Sequence, residues 1–258
     1  DRVQEIRTWK EKIDEIASPR QLKSALDDLD ELKVYWKFNE SSGDVINQAA
    51  TVGSTDSLGS GADLQITGAT YNNANTPFNT MNFDGTNDDA VAGTSLSQFN
   101  FFQDGSKWSI AMWLEIDNVS AEDILFSNAT GANTQACKLF QGSSGNFGAG
   151  VYDSGIWIDG SLGASGMVQG SPYLLVFTFD KDEATKKYTF YRNAVEISSL
   201  NQSTTQGTSA NSAIAFRLFS QGGYYFMNAN ISEMSIWKRF LTDAEITTLY
   251  NSGNGLEL

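Results

Sequence analysis

Two acidic residues at alternate positions, Glu115 and Asp117, could take part directly in chemistry. Residues two apart on a β-strand point to the same face, so a strand would hold both carboxylates side by side. Two carboxyl groups about 5 Å apart, one with a raised pKa, can cleave a glycosidic bond with retention of configuration. A later carboxylate, Glu122, falls out of phase with this pair and would need a bulge to join it. Spacing alone therefore places Glu115 and Asp117 on one strand face and leaves their chemistry open.

Histidine is absent from the sequence, and Cys137 is its one cysteine. The absence of histidine excludes Ser-His-Asp and Cys-His mechanisms and any histidine-ligated metal site within this chain. Cys137 alternates with Leu139, which favours a buried small hydrophobic side chain over a reactive thiol. A single cysteine cannot form an intrachain disulfide, so the cysteine content does not indicate whether the protein is found in an oxidising or a reducing compartment.

An aromatic and acidic segment at 152–159 is a candidate ligand surface. If residues 155–159 form a strand, Ile156 and Ile158 face the core and the tryptophan between them faces outward. An aromatic ring beside polar groups can bind a sugar ring, although a loop or a neighbouring subunit could equally cover it. The candidate residues here are Tyr152, Asp153, Trp157 and Asp159. Tyr224 and Tyr225, which follow two glycines, form a second candidate with the same two interpretations.

The first 33 residues carry apolar side chains at helical spacing. Ser18, Pro19 and Gln21 provide a capping box and a proline at the first helical position, so two short helices are predicted with a break between them. Such short helices are marginal alone in water. Their apolar stripes either pack within the chain or form an assembly seam, as in a homotrimer or an anchor on a larger particle. The stripe residues are Ile6, Trp9, Ile13, Ile16, Leu22, Ala25, Leu29 and Leu32.

Residues 34–258 follow a different pattern, with alternating apolar residues between turns rich in Gly, Asn, Ser and Thr. After the last strand, Thr242 and Glu245 form a capping box that predicts a helix through Tyr250, with Ile246, Leu249 and Tyr250 as its packing face. The predicted strands are 34–38, 80–84, 108–116, 123–127, 137–141, 146–152, 155–159, 173–179, 187–192, 195–198, 213–219 and 229–237.

Four segments resemble the laminin G-like, concanavalin A-like family. The resemblance implies an all-β fold, an antiparallel β-sandwich of the jelly-roll type over 34–258, preceded by the two short α-helices of 1–33. It also implies that Trp36, Trp108, Trp113 and Trp237 pack in core strands. The segments are 34–43 (VYWKFNESSG), 81–85 (MNFDG), 108–113 (WSIAMW) and 231–246 (ISEMSIWKRFLTDAEI).

The laminarinase-type glycan hydrolases share this sandwich and carry Glu-x-Asp-x-x-Glu on one strand, or one residue more before the last Glu. In this chain the first two carboxylates match that pattern, but Ser120 stands at the third position and Ala121 at the bulged alternative. The motif is incomplete, so the resemblance predicts a protein without catalytic residues. A glycan hydrolase with a degenerate active site is the alternative.

The resemblance also suggests a structural calcium ion, because many members hold Ca²⁺ at a loop edge through side-chain and carbonyl oxygens. Glu233 stands where the family often has an acidic residue, whereas Asn47 replaces the usual aspartate of the first loop. With Asn39 these residues form the candidate calcium set, and solvated loop residues are the alternative. Other loop oxygens come from Glu40, Asp44, Asp84, Asn87, Asp88 and Asp89.

A turn at 191–195 departs from the family pattern, which would place Asn-Gly there. Because alanine tolerates a positive φ poorly, Ala194 predicts a longer turn or another turn type.

The charge balance limits the partners. With 17 basic and 31 acidic residues the net charge is −14, which disfavours nucleic acids and anionic lipid surfaces. The longest apolar run is too short to span a bilayer, and no signal peptide is recognisable. The expected protein is an extracellular or virion-surface module, such as a phage fibre, capsid decoration or cell-surface adhesion subunit, with glycan as its candidate ligand.

Overall fold

The computed structural model describes most of the chain from residue 29 onward. The predicted N-terminal helices, with Ile6, Trp9, Ile13, Ile16 and Leu22, lie outside the described residues, so both interpretations of that segment stay predictions. The described residues are 29, 31–72, 80–93, 98–104, 107–119, 122–128, 136–153, 156–164, 166–201, 215–256 and 258.

The fold consists of short antiparallel strands with two α-helices and two 3₁₀ turns in the described part of the chain. Its strands are β1 (Leu32–Trp36), β2 (Leu64–Thr67), β3 (Thr70–Asn72), β4 (Thr80–Asp84), β5 (Asp89–Ala92), β6 (Lys107–Ile116), β7 (Asp123–Ser127), β8 (Ala136–Gln141), β9 (Asn146–Asp153), β10 (Ile156–Ala164), β11 (Pro172–Asp180), β12 (Tyr188–Arg192), β13 (Val195–Leu200), β14 (Phe216–Leu218) and β15 (Asn228–Trp237). The helices are α1 (Phe101–Asp104) and α2 (Asp243–Tyr250), and the 3₁₀ turns are Gly59–Ala62 and Asn251–Gly253.

Two antiparallel sheets face each other. Sheet 1 has the order β13-β12-β11-β6-β15-β4-β3, and β1 pairs with the second half of β15 beside β4. Sheet 2 has the order β10-β9-β8-β7-β14-β5-β2. The chain crosses between the sheets at several connections, and two of them, β6–β7 and β14–β15, carry residues of the candidate site. The predicted all-β sandwich is confirmed.

The main core fills the space between the sheets. In β6 every second residue, including Trp108, Ile110 and Met112, is buried there. Aromatic rings dominate this layer, for example Phe126 and Phe216 with centroids 5.2 Å apart. The intervening residues Ala111 and Trp113 are buried on the opposite face, so β6 is covered on both sides.

A second apolar layer covers the outer face of sheet 1, where α2 packs. Ile246 and Leu249 are buried in it, and the Tyr250 ring stacks on Trp113 with centroids 6.1 Å apart. The backbone nitrogen of Glu245 donates to the Thr242 hydroxyl, and the Glu245 carboxylate accepts from the Thr242 backbone nitrogen at 2.8 Å. The predicted capping box and packing face are both confirmed.

The sequence interpretation was wrong for Leu32. Its spacing placed it on the second helix, but it begins β1, lies opposite Trp237 of β15 and is fully buried. Pairing with a central strand and burial override the local helical spacing. Leu29 is half-buried and contacts the same outer layer, so the chain enters the sandwich on the α2 side of sheet 1.

The sequence interpretation missed three short strands, β2, β3 and β5. The segments are only four, three and four residues long. Their residues include Asp, Asn, Gln and Ala, which are poor strand formers, and their extended form comes from hydrogen bonds to neighbouring strands. Such elements depend on tertiary pairing that a local pattern does not contain.

The turn between β12 and β13 also differs from expectation. Arg192 pairs directly with Val195, so the turn has two residues, Asn193 and Ala194, with φ of 51° and 61°. Two positive φ values define a type I′ hairpin, the turn that the right-handed twist of paired strands favours. The prediction of a longer turn or another type was wrong, because strand pairing holds Ala194 in a left-handed conformation.

We expect Ala194→Gly to raise the free energy of unfolding by about 0.5–1 kcal/mol. The left-handed conformation costs a residue with a Cβ about 1–2 kcal/mol, and the greater freedom of glycine in the unfolded chain offsets part of the gain. The control is Asn193→Gly, which loses the bond from the Leu174 backbone nitrogen to Asn193 Oδ1 and should give no gain. Urea unfolding measures both, and a destabilised Ala194→Gly variant would contradict the turn assignment.

Candidate functional site

The predicted surface at 152–159 lies on the β9–β10 hairpin. Trp157 is directly opposite Tyr152, and Asp159 is opposite Gly150. The pairing confirms that the segment forms a tight hairpin, with Asp153 facing Ile156 across it. For these residues the structure describes the backbone, so a role of their side chains in ligand binding stays a prediction.

The second predicted cluster lies on the β14–β15 crossover loop. Gly222 and Gly223, with φ of 59° and 89°, form a two-residue turn closed by the bridge between Gln221 and Tyr224. Beyond this turn the side chains of Tyr224 and Tyr225 are 71% and 50% exposed. Both phenol rings are therefore presented to solvent on a tightly turned segment.

Tyr225 is held in a costly conformation. Its φ is 57°, which is rare for a bulky residue and costs about 1–2 kcal/mol relative to ordinary backbone. The Tyr225 carbonyl accepts from the Ile124 backbone nitrogen at 3.2 Å, which fixes the loop to β7. Strained residues of this kind concentrate at functional sites, so an exposed aromatic ring on a strained, anchored loop marks a candidate site.

Polar side chains on the outer face of sheet 1 form a connected group. Asn82 Nδ2 donates to Asn230 Oδ1 at 3.1 Å. The Asn230 amide nitrogen lies 3.3 Å from Glu115 Oε1 and 3.4 Å from Asp117 Oδ2. One amide therefore bridges the two carboxylates, which lie on the same face as their period-two spacing predicted. All four side chains are partly exposed and can reach a ligand.

The third carboxylate of the sequence analysis lies elsewhere. Glu122 is exposed and immediately precedes β7, which belongs to sheet 2, whereas Glu115 is on β6 of sheet 1. The chain leaves sheet 1 between these residues, so Glu122 cannot continue the strand that carries the other two carboxylates.

The loop that carries Tyr224 and Tyr225 lies at the same end of sheet 1 as the two carboxylates, because this loop runs directly into β15. The Asp117 backbone nitrogen donates to the carbonyl of Asn228, the first residue of β15, at 3.0 Å. Asn228 follows the tyrosine loop directly in the chain. We call this end of the sheet the rim. It is defined by Asn82, Glu115, Asp117, Tyr224, Tyr225 and Asn230.

A buried carboxylate lies beneath the rim. Asp123, the first residue of β7, is 6% exposed and is opposite the buried Gln141. Burial raises the pKa of Asp123 to about 6, and the negative charge of Glu122 adds to the increase. Asp123 therefore links the stability of the β6–β7 crossover to pH.

The candidate calcium residues, Asn39, Asn47 and Glu233, have different surroundings. Asn47 Oδ1 accepts from the backbone nitrogens of Tyr35 and Ala49 at 3.0 and 3.1 Å. Asn39 is exposed, and Glu233 Oε1 accepts from the Tyr35 hydroxyl at 3.0 Å. Within the described ranges no three His, Cys, Asp or Glu residues form a group that could hold a metal ion. Asn47 is a structural residue here, and calcium binding by this chain stays a prediction.

Cys137 is 1% exposed in the main core, and burial raises the pKa of its thiol to about 12. The interpretation as a buried small hydrophobic residue is confirmed. Of the helices in the described ranges, none has the length and apolar character needed to cross a membrane.

The sequence profile of the concanavalin A-like lectin/glucanases superfamily matches residues 84–247, more than half of the chain. The chain belongs to this superfamily. The match extends from the end of β4 into α2 and so includes most of the rim. The superfamily contains both lectins and glucanases, as its name states. Membership alone therefore does not distinguish a binding protein from a hydrolase, and the residues of the site must make that distinction.

Solved structures with the same fold come from distant proteins. The receptor-binding domain of botulinum neurotoxin C/D mosaic serotype gives a TM-score of 0.62 at 11% identity, covering 86% of this chain and 51% of that one. The binding domain of Paraclostridial Mosquitocidal Protein 1 gives 0.61 at 16% identity, with coverages of 86% and 52%. Trypanosoma rangeli sialidase in complex with sialic acid gives 0.59 at 14% identity, with coverages of 88% and 34%.

The superfamily member described here therefore spans about a third to a half of the chains it resembles. At these identities the likeness shows the fold alone. A comparison with curated proteins finds no match.

Proposed function

We propose that this superfamily member is a non-catalytic recognition module that binds glycans at the rim. The observation that carries the proposal is the exposed Tyr224 and Tyr225 pair on a strained and anchored loop, at the same end of sheet 1 as the partly exposed carboxylates. Among the similar folds are one receptor-binding domain, one further binding domain and a sialidase solved with sialic acid, which supports a role in ligand recognition.

The rim has the chemical groups that sugars require. A phenol ring offers a flat apolar face for the C–H side of a sugar ring. The carboxylates of Glu115 and Asp117 accept hydrogen bonds from sugar hydroxyls, and the amide of Asn82 or Asn230 can donate or accept. The carboxylates also disfavour acidic sugars close to them, so neutral glycans are the preferred ligands.

Hydrolysis is the second candidate function, because one amide bridges Glu115 and Asp117 on a single face. In the laminarinase-type motif that the chain resembles, Asp117 stands at the helper position, so the general acid that a retaining mechanism needs would come from a third carboxylate. The next acidic residue that is described, Glu122, lies at the start of a strand in the other sheet. This separation supports recognition without catalysis.

We further propose that the module works at a virion or cell surface, with the N-terminal apolar stripe as its attachment to a larger assembly or to further copies of itself. Leu29, a residue of that stripe, is half-buried against the apolar layer on the outer face of sheet 1, which supports a packing role for the stripe.

We expect Tyr224→Ala and Tyr225→Ala each to weaken glycan binding by about tenfold or more, which is about 1.4 kcal/mol. Truncation removes the stacking surface, while the exposed position leaves the thermal unfolding temperature nearly unchanged. Binding is measured on a glycan array and by titration calorimetry with the strongest ligand found there.

Val195→Ala is the control, because Val195 is also exposed, at 60%, but lies on the edge strand β13. Binding by both tyrosine variants equal to that of the parent, or no binding by the parent, would refute recognition at the rim. The bound glycans are also incubated with the protein and with Glu115→Gln. Release of reducing sugar by the parent that Glu115→Gln abolishes would establish hydrolysis instead.

A further inference from the structure

A cleft of about 480 Å³ lies on the outer face of sheet 1, away from the rim, in the size range of small-molecule sites. One wall is the outer face of β12 and β13, and the other is the start of α2 with the segment before it. The charged hairpin between β11 and β12 closes one end. Its lining residues are Glu183, Lys186, Thr189, Tyr191, Glu196, Phe240, Thr242, Asp243 and Ala244.

Hydroxyl side chains run across the sheet at the level of the cleft. Thr178 of β11 lies opposite both Ser109 of β6 and Thr189 of β12, and Thr189 lies opposite Ser199 of β13. We call these four residues the hydroxyl row. Residues directly opposite on one face have Cβ atoms about 4.5–5.5 Å apart, so Thr189 lies next to Thr178 and Ser199.

Two members of the hydroxyl row are buried without hydrogen-bond partners. Thr178 is 1% exposed, and its Oγ1 has no partner in the described part of the chain. Thr189 is 4% exposed, lines the cleft and forms no side-chain hydrogen bond with any described residue. Ser109 differs, because its hydroxyl donates to the Arg239 carbonyl and accepts from the Leu241 backbone nitrogen, each at 2.9 Å. Thr189 is the member of the row that lines the cleft, and because buried hydroxyls usually have partners, its hydroxyl is open to a polar group there.

The charged residues of the cleft are mostly paired with one another. Lys186 Nζ lies 2.6 and 2.9 Å from the two carboxylate oxygens of Glu196. The Tyr191 hydroxyl donates to Asp243 Oδ1 at 3.0 Å. Together with Glu183 the lining carries three carboxylates and one ammonium group. The excess of negative charge disfavours anionic ligands such as acidic sugars.

We propose that this cleft is a second saccharide site, which takes a neutral sugar residue whose hydroxyl groups bond to Thr189. A sugar hydroxyl can both donate and accept, as a threonine hydroxyl can, and the cleft carboxylates accept from further hydroxyls. The half-buried Phe240 supplies an apolar contact at the wall. The site uses no residue of the rim, so it stands independently of the proposed recognition there.

The test uses amide chemical shifts of the isotope-labelled full chain with lactose, cellobiose or maltose, each at about 20 mM, a concentration that detects millimolar affinity. At least one of these neutral disaccharides should shift the amide signals of β12 and β13, and 3′-sialyllactose should shift them less. Thr189→Val keeps the side-chain shape and removes the hydroxyl, so its response should fall at least about tenfold.

Thr67→Val is the matched control, because Thr67 is an exposed threonine on β2 of the other sheet. It should respond as the parent does, and so should Tyr225→Ala, which separates this site from the rim. The absence of shifts with all three neutral disaccharides, an unchanged response of a folded Thr189→Val, or an equal response to sialyllactose would overturn the proposal.

Discussion

Asn47→Ala is expected to lower the free energy of unfolding by about 3–5 kcal/mol. The Asn47 side chain joins β1 to the loop that follows it: its amide nitrogen lies 3.1–3.3 Å from Lys33 O, Ser57 Oγ and Gly59 O, and its amide oxygen accepts from two backbone nitrogens. Each net hydrogen bond contributes about 0.5–1.5 kcal/mol, and the partners left unpaired in a buried region add a penalty.

Asn39→Ala is the matched control for this experiment, because Asn39 was placed in the same candidate calcium set but is exposed. Its unfolding free energy should stay within about 0.5 kcal/mol of the parent. Guanidinium unfolding without calcium measures both variants. If Asn47→Ala lost less than about 1 kcal/mol under these conditions, the structural role of Asn47 would be refuted and its place in a metal site would need to be reconsidered.

The sequence predicted the long strands well because each combines a run rich in apolar residues with turn residues at its ends. In β6 the alternation of large apolar residues predicted the strand to within one residue of its observed start, and the capping box predicted α2. Leu32 and Ala194 show where local reasoning fails. Leu32 matched a helical spacing, and Ala194 disfavoured a type I′ turn, but pairing with a neighbouring strand decided both conformations.

The candidate site was predictable only in part. Period-two spacing placed Glu115 and Asp117 together, and the glycine pair before Tyr224 indicated an exposed loop. The bridging residue Asn230 was not identified, because it comes from a strand more than one hundred positions away and ordinary asparagines are frequent in this chain. The hydroxyl row had no signal either, since Thr178 and Thr189 become neighbours only through the register of β11 and β12.

Asp123→Asn is expected to raise the free energy of unfolding at neutral pH by up to about 3 kcal/mol. The side chain is 6% exposed, and burial raises its pKa from the ordinary 3.8 to about 6. One pKa unit corresponds to about 1.36 kcal/mol, so a shift of about two units gives a difference of this size between the ionised and protonated forms. Asparagine keeps the shape of the side chain and removes the charge whose burial is costly.

The pH dependence of this effect follows from linkage. Between about pH 4 and pH 6 the folded protein holds a proton on Asp123 that the unfolded chain has already released, so the contribution of this group to stability decreases as the pH rises. Above about pH 6 both states are ionised and the contribution stays at its lowest value. The advantage of Asp123→Asn over the parent should therefore be small below pH 4, grow through this window and remain constant at higher pH.

The difference in unfolding free energy between parent and variant separates the effect of Asp123 from that of groups whose stability contribution changes with pH in the opposite direction. Glu245, whose pKa is lowered mainly by its hydrogen bonds to Arg239 and Thr242 despite its burial, stabilises the fold above its unfolded pKa and loses that contribution as the pH falls. Because Glu245 is present in both proteins, its contribution cancels. Urea unfolding at half-unit steps from pH 4 to pH 8 measures the difference, with exposed Glu122→Gln as the control that should change it little. A constant difference across this range would mean that Asp123 is ionised in the folded protein throughout, and that the β6–β7 crossover beneath the rim tolerates the charge without cost.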